Sequence, residues 1–249
     1  VVKPDVIVAW PISHDYPLWR QFIRDNRERF AKVIVSVTQH DGTPMIDFVR
    51  EAMCPDDVTF IDARATGSAD WRDVAVNLAL NVSDAEWVWF TEQDFFITEP
   101  EYFWRLVNEL CLGDEYSKPV DAYGRYDDAE ASERDHFIRN HPSCLFVRRS
   151  LIEATSRNFG VTPRGDHFAQ FSDEILRVPN SVIMLMNGYG WEHLQGLTQN
   201  HWLIDSGQEA GRFKMNRFDQ YLRDCLAVTV PLDSDWAERS RRHLRAQAA

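Results

Sequence analysis

Two acids one residue apart, Glu92 and Asp94, follow directly on a short apolar run, Trp87-Val88-Trp89-Phe90. In an extended segment, residues i and i+2 project to the same side, so both carboxylates can face one site. Two convergent oxygen ligands suit a hard divalent ion such as Mg2+ or Mn2+, with water and phosphate oxygens filling its remaining positions. An ion so held would neutralise a diphosphate and stabilise its departure as a leaving group. It would also reconcile an anionic substrate with a chain of 249 residues carrying 39 Asp and Glu against 27 Lys and Arg, a net charge of −12. Acid-x-acid is a common tripeptide, and two solvated carboxylates closing a strand would read the same way. The position at a strand terminus sets this pair apart, because ligands of open parallel sheets bind at the carboxyl ends of the strands.

The elements that must create that terminus alternate along the first half of the chain. Val6–Trp10, Val33–Val37, Val58–Ile61 and Trp87–Phe90 are short, apolar runs, largely β-branched or aromatic, as expected of strands buried on both faces. Helices are expected between them. Asp15 followed by Pro17 starts one that runs to about Phe30, and Pro44 opens a short one through Ala52. Ser68 can cap a third, in which Trp71, Val74, Ala75, Leu78 and Ala79 form one apolar face and Arg72, Asp73 and Asn77 lie off it. Thr98-Glu99-Pro100-Glu101 reads as a capping box with a proline in the first turn, opening a helix through Leu110. Strands separated by helices, without internal repeats, give an α/β fold with a mainly parallel sheet covered on both sides. After Gly113 the pattern loosens: Asp121–Asp135 reads as a long polar loop, then Cys144–Val147, Ser150–Arg157, Phe168–Leu176 and Val182–Leu185 as strand, helix, helix and strand. From Asp233 a helix with a basic face is expected.

Composition narrows the class. Apolar residues at 44% and charged residues at 27% are those of a globular protein. The acidic balance argues against broad nucleic-acid binding, which needs a cationic face. No apolar run approaches the roughly 18 residues of a membrane span, and Val1–Asp5 has no signal-peptide pattern, so the cytoplasm is the expected compartment. The four cysteines, at 54, 111, 144 and 225, form no Cys-x-x-Cys pair and are expected as free, mostly buried thiols.

The order strand, polar loop, strand, strand, Gly-containing turn, Asn-bearing helix, strand, acid-x-acid resembles the GT-A glycosyltransferases, especially family-2-like enzymes. The stretch from Gly67 through Trp71 and Asn77 to Leu80, followed by Glu86 through Glu92-Gln93-Asp94, looks like that family's nucleotide-sugar region. The likeness covers about the first 110 residues and rests on the order of elements more than on any one motif. One departure is visible: the family's first motif acid is usually Asp, and here it is Glu92. The resemblance implies a single GT-A type, Rossmann-like domain over residues 1–249, with 1–112 as the nucleotide-sugar half and 113–249 as the acceptor-side half with the C-terminal helices. It implies a UDP-sugar or similar nucleoside diphosphate sugar donor and Mn2+ or Mg2+. Asp94 would be the metal ligand, with Glu92 beside it or on the ribose, and Gln93 between them in the donor site. Pro11, Ile12 and Ser13 would border the base, Asp62 would contact base or ribose, and Arg72 and Asn77 would face the nucleotide or donor sugar. Asp62 also suits a plain strand-end turn, and Asn77 a helix surface.

Enzymes of this kind often complete the metal site with a histidine from the second half. Trp191–Trp202 offers His201, the first choice, and His193, the reserve; His14 and His40 end the first two strands without a specified role. An inverting transfer needs a carboxylate to take the acceptor proton, and Asp166 and Asp173 are available; a plain helix cap and a surface charge are their other readings. A retaining transfer would need neither. The alternatives are nucleotidyl transfer, whose Gly-rich loop and phosphate Lys are missing from Pro11–Asp15, and a non-catalytic nucleotide-sugar-binding protein. The acceptor is open among a saccharide, a small molecule and, through Arg239, Arg241, Arg242 and Arg245, a hydroxymethylated base in DNA.

Overall fold

A computed structural model describes residues 1–9, 22–37, 56–62, 71–92, 95–113, 117–127, 139–160, 167–186 and 189–193. Its framework is a seven-stranded sheet in the order β3-β2-β1-β4-β7-β6-β8. The strands are β1 (Asp5–Ala9), β2 (Val33–Val37), β3 (Thr59–Asp62), β4 (Trp87–Thr91), β6 (Ala122–Asp127), β7 (Arg139–Arg148) and β8 (Ile183–Leu185). Strands β3, β2, β1 and β4 are mutually parallel; β7 runs against its neighbours β4 and β6, and β8 is parallel to β6. A separate two-stranded antiparallel ribbon pairs β5 (Phe95–Ile97) with β9 (Trp191–His193). This is the α/β, Rossmann-like, mainly parallel sheet flanked by helices that the order of elements implies.

Alternation along the strands divides the core between two faces. Val6, Val8, Val35, Trp89 and Phe146 point to one face, where Phe103 and Trp104 of α2 (Pro100–Leu112) cover them together with the helical residues 22–25. Ile7, Ile34, Val88, Phe90 and Leu145 point to the other. There α1 (Trp71–Val82), α3 (Arg149–Glu153) and α4 (Ala169–Arg177) pack, through Ala75, Ala79, Ile152, Phe171 and Ile175 among others. Asp5 ties α1 to the sheet at the end away from the strands' carboxyl termini. Its Oδ2 accepts from Ser83 Oγ at 2.7 Å, Asp84 N at 2.8 Å and Ala85 N at 3.0 Å.

Four expectations change. The stretch from Asp121 is not all loop, because residues 122–127 form β6, hydrogen-bonded between β7 and β8. Its polar character misleads because its charges are used internally: Asp121 accepts from Val182 N at 2.9 Å and lies 3.4 Å from Arg148 Nε. The buried stripe of α1 is Ala75, Val76, Ala79 and Leu80, rotated from the expected face so that Leu78 is exposed. α2 starts on Pro100 without a side-chain cap; Thr98 and Glu99 instead give their N–H groups to the Gly190 carbonyl, at 2.9 and 3.1 Å. The helix expected over Ser150–Arg157 stops at Glu153. The helix over Pro44–Ala52 and the basic C-terminal helix lie outside the described residues.

Among the described residues no helix is long and apolar enough to cross a membrane. Cys111 and Cys144 are free and buried, as expected, while Cys54 and Cys225 lie outside the described residues. Burial pushes the Cys111 thiol up to about 12 and the Cys144 thiol up as well, where Trp89 Nε1–H donates to its sulfur at 3.3 Å. Because the thiolate is the nucleophile, both should resist a thiol reagent at pH 8 in the native protein and react only on unfolding. Mass spectrometry of alkylated peptides checks this, and fast native labelling at either residue would contradict it.

Candidate functional site

Four parallel strands bring their carboxyl ends to one edge. In register Val37 of β2 pairs with Asp62 of β3, Ala9 of β1 with Ser36 of β2, and Ile7 of β1 with Phe90 of β4. Asp62 and Glu92 therefore share this edge, with β2 and β1 between their strands. That separation is three strand spacings, about 14 Å. One cation cannot touch both acids; an extended ligand can.

Glu92 lies one residue beyond β4, and its backbone continues the pairing with β7 by donating N–H to the Ser143 carbonyl at 3.3 Å. Thr91 Oγ1 donates to the same carbonyl at 3.1 Å. Phe95 N–H returns to the Glu92 carbonyl at 3.2 Å and opens β5, which pairs residue for residue with β9, Phe95 opposite His193. That pairing brings a histidine 101 positions away to Glu92: His193 Nε2 is 3.0 Å from Glu92 Oε2. The His193 side chain is 3% exposed and that of Glu92 24%, so the imidazole is enclosed while the carboxylate keeps an open side.

Arg125 completes the cluster. Its Nη1 donates to Ser143 Oγ at 3.2 Å and contacts His193 Nδ1, and its guanidinium lies over the Trp191 ring, 5.7 Å from the centroid. The β6–β7 register shifts between Gly124 and Tyr126, so Arg125 sits at a β-irregularity, a device that re-aims a side chain. Pro142 of β7, which has no N–H for the ladder, lies in the same irregular stretch. Gly190 opens the ribbon at φ 83°, where a Cβ would stand 3.2 Å from the Tyr102 ring. Sequence reading missed Arg125, Ser143 and Trp191. The alternation Ala122-Tyr123-Gly124-Arg125-Tyr126 was the available signal for a strand there.

Of the residues singled out from sequence, the structure brings together Glu92 and His193. Asn77 is turned to the segment after α3: its Nδ2 donates to the Arg157 carbonyl at 3.1 Å and to Asp73 Oδ1 at 3.2 Å. Asp73 Oδ1 also accepts from Phe159 N at 2.8 Å, so the pair fastens α1 to residues 157–159. Asp173 lies on α4, 2.6 Å from Arg177 one turn on. Arg72 is in the first turn of α1. Pro11, Ile12, Ser13, His14, His40, Gln93, Asp94, Asp166 and His201 lie outside the described residues. Among the described residues no three His, Cys, Asp or Glu side chains gather as a cation site.

No family model matches the chain, and no curated protein matches it in sequence. Solved structures resemble it at low identity. A mycobacterial protein matches at 14% identity over 84% of this chain and 76% of its own, with a TM-score of 0.52. A mannosyltransferase from Pyrobaculum calidifontis in complex with GDP-Man and Mn2+ matches at 18% identity over 98% and 70%, with a TM-score of 0.48. The bifunctional IspDF from Campylobacter jejuni matches at 16% over 79% of this chain, with a TM-score of 0.46; the chain spans 54% of that protein's length. These likenesses concern the α/β fold alone, and a fold by itself does not fix a reaction.

Proposed function

We propose that the chain is a metal-dependent glycosyltransferase that moves a sugar from a nucleoside diphosphate sugar, a UDP-sugar in the first instance, to an acceptor hydroxyl. The observation that carries this reading is the place of Glu92: just past β4, on the edge where parallel strands present ligands, half-enclosed and held by an enclosed histidine. The donor chemistry fits a hard cation, since Glu92 supplies a carboxylate oxygen and Asp94 stands two residues on; His201 is the third ligand in this reading. Bound there, Mn2+ or Mg2+ supplies the positive charge that makes a diphosphate a better leaving group.

The chain's own residues do the rest. Asp62, three strands away on the same edge, takes base or ribose at the far end of the nucleotide, where Pro11 and Ile12 border the base. Arg72 and Gln93 complete the donor site, while Asn77, bonded to Asp73 and Arg157, steadies α1 behind it. Asp166 or Asp173 accepts the acceptor proton if the transfer inverts the anomeric centre. Residues 1–112 form the donor half of this single domain, and the acceptor-side half, 113–249, contributes Arg125, Ser143 and His193 behind Glu92.

Calorimetric titration with UDP, with and without Mn2+, tests the reading, followed by turnover of UDP-sugars. Metal-dependent UDP affinity is the expected result. Nucleotide binding indifferent to the ion would overturn it. Pyrophosphate release from a nucleoside triphosphate would instead mark a nucleotidyltransferase, and a donor bound but never consumed would mark a binding protein.

A further inference from the structure

We infer that His193 is a positioning residue for Glu92, and that Arg125 fixes the ring tautomer in which it acts; the inference rests on Glu92 being a donor-site carboxylate. A guanidinium carries only donors, so the His193 nitrogen that meets Arg125, Nδ1, must be the acceptor. The ring proton of the neutral imidazole then sits on Nε2, where it is donated to Glu92 Oε2 at 3.0 Å. Both nitrogens are engaged in this arrangement. His193 therefore works on the carboxylate and not on a cation, in the manner of the outer partners that orient metal-binding carboxylates.

The connections form a closed circuit. Glu92 bonds His193, His193 meets Arg125, Arg125 bonds Ser143 Oγ, and the Ser143 carbonyl takes the Glu92 N–H. Trp191, in the strand that carries His193, covers the guanidinium. Backbone and side chain of Glu92 are thus both referenced to β7, with one path through the strand ladder and one through three side chains. The circuit also needs the length of glutamate at position 92: an Asp side chain, one methylene shorter, would stop short of the imidazole on β9.

The test uses the full chain with 15N-labelled histidine. Correlation of ring protons with ring nitrogens, His193 being identified by the signal lost in His193→Gln, should place the proton on Nε2 in the wild type. A proton on Nδ1 would overturn the inference, and this readout needs no metal, so it stands or falls apart from the glycosyltransferase reading. The second readout is Mn2+ affinity, from the paramagnetic resonance signal of the free ion. His193→Gln keeps an N–H for Glu92 and a carbonyl for Arg125, and should stay within about threefold of wild type, whereas His193→Ala should weaken binding by about 10- to 100-fold. Equal losses in the two variants would mean that the imidazole is itself a ligand, against the inference. Glu92→Asp should lose affinity as His193→Ala does, with an unchanged melting temperature showing that the variants are folded.

Discussion

Replacing Asp94 with Ala should lower sugar transfer by about a thousandfold, roughly 4 kcal/mol of transition-state stabilisation, with a parallel loss of Mn2+-dependent UDP affinity. The size follows from the leaving group. A departing diphosphate concentrates negative charge on its oxygens, and the chain around it carries a net charge of −12. Without a cation, the loops after β1 and β4 do not offset that charge: Pro11–Asp15 contains no Lys or Arg, and Thr91–Asp94 holds a threonine, two acids and one amide. Asp94→Asn is the informative companion, since it keeps the side chain's shape and removes its charge; it should fall almost as far. Initial rates with UDP-sugar and Mn2+, beside calorimetry on each variant, check the prediction. Full UDP affinity in Asp94→Ala would remove this carboxylate from the site and with it the metal-dependent reading.

How much of this was legible in the sequence depends on the range of the forces involved. Strands β1, β2 and β4 were visible because each is a compact apolar run buried on both faces, a local property, and β3, though partly exposed, carries the same kind of run; Val33–Val37 matches residue for residue. Glu92 was visible for the same reason, standing at the end of such a run. The ribbon was not: β5 and β9 are three residues each, too short for periodicity to register, and they find each other across the chain. Strand β6 was hidden by its own chemistry. Asp121 and Arg125 read as solvent-facing charges, yet one is bonded to Val182 and Arg148 and the other to Ser143 and His193. Partly buried charges answered by distant partners look like loop to any local reading. His193 was visible as a histidine with a candidate role; its placement against Glu92 required β5–β9 pairing that no window of sequence contains.

The second large effect concerns the strand that delivers Glu92. Trp89 is fully buried in the middle of β4, stacked on Phe146 of β7 at 5.0 Å with rings 5° from parallel, and edge-on to Trp104 at 5.6 Å and Phe95 at 6.3 Å. It therefore joins three elements the site depends on: β7, which carries Ser143; α2; and β5, whose partner strand carries His193. Trp89→Ala should cost about 4 kcal/mol, the sum of lost transfer energy and a cavity that surrounding rings cannot collapse to fill. Against a total stability of roughly 5–15 kcal/mol, that is a large share. Trp89→Phe keeps a ring on Phe146 but gives up the N–H donated to Cys144, so about 1.5 kcal/mol is expected there. Denaturant midpoints for the two variants measure both values. A cost under about 1 kcal/mol for Trp89→Ala would mean that the aromatic cluster is not closely packed. The ordering also bears on the chemistry: if β4 and β7 are clamped by this stack, Trp89→Phe should disturb Mn2+ affinity far less than His193→Ala. The first change weakens the foundation uniformly, whereas the second removes the imidazole that holds one carboxylate at 3.0 Å.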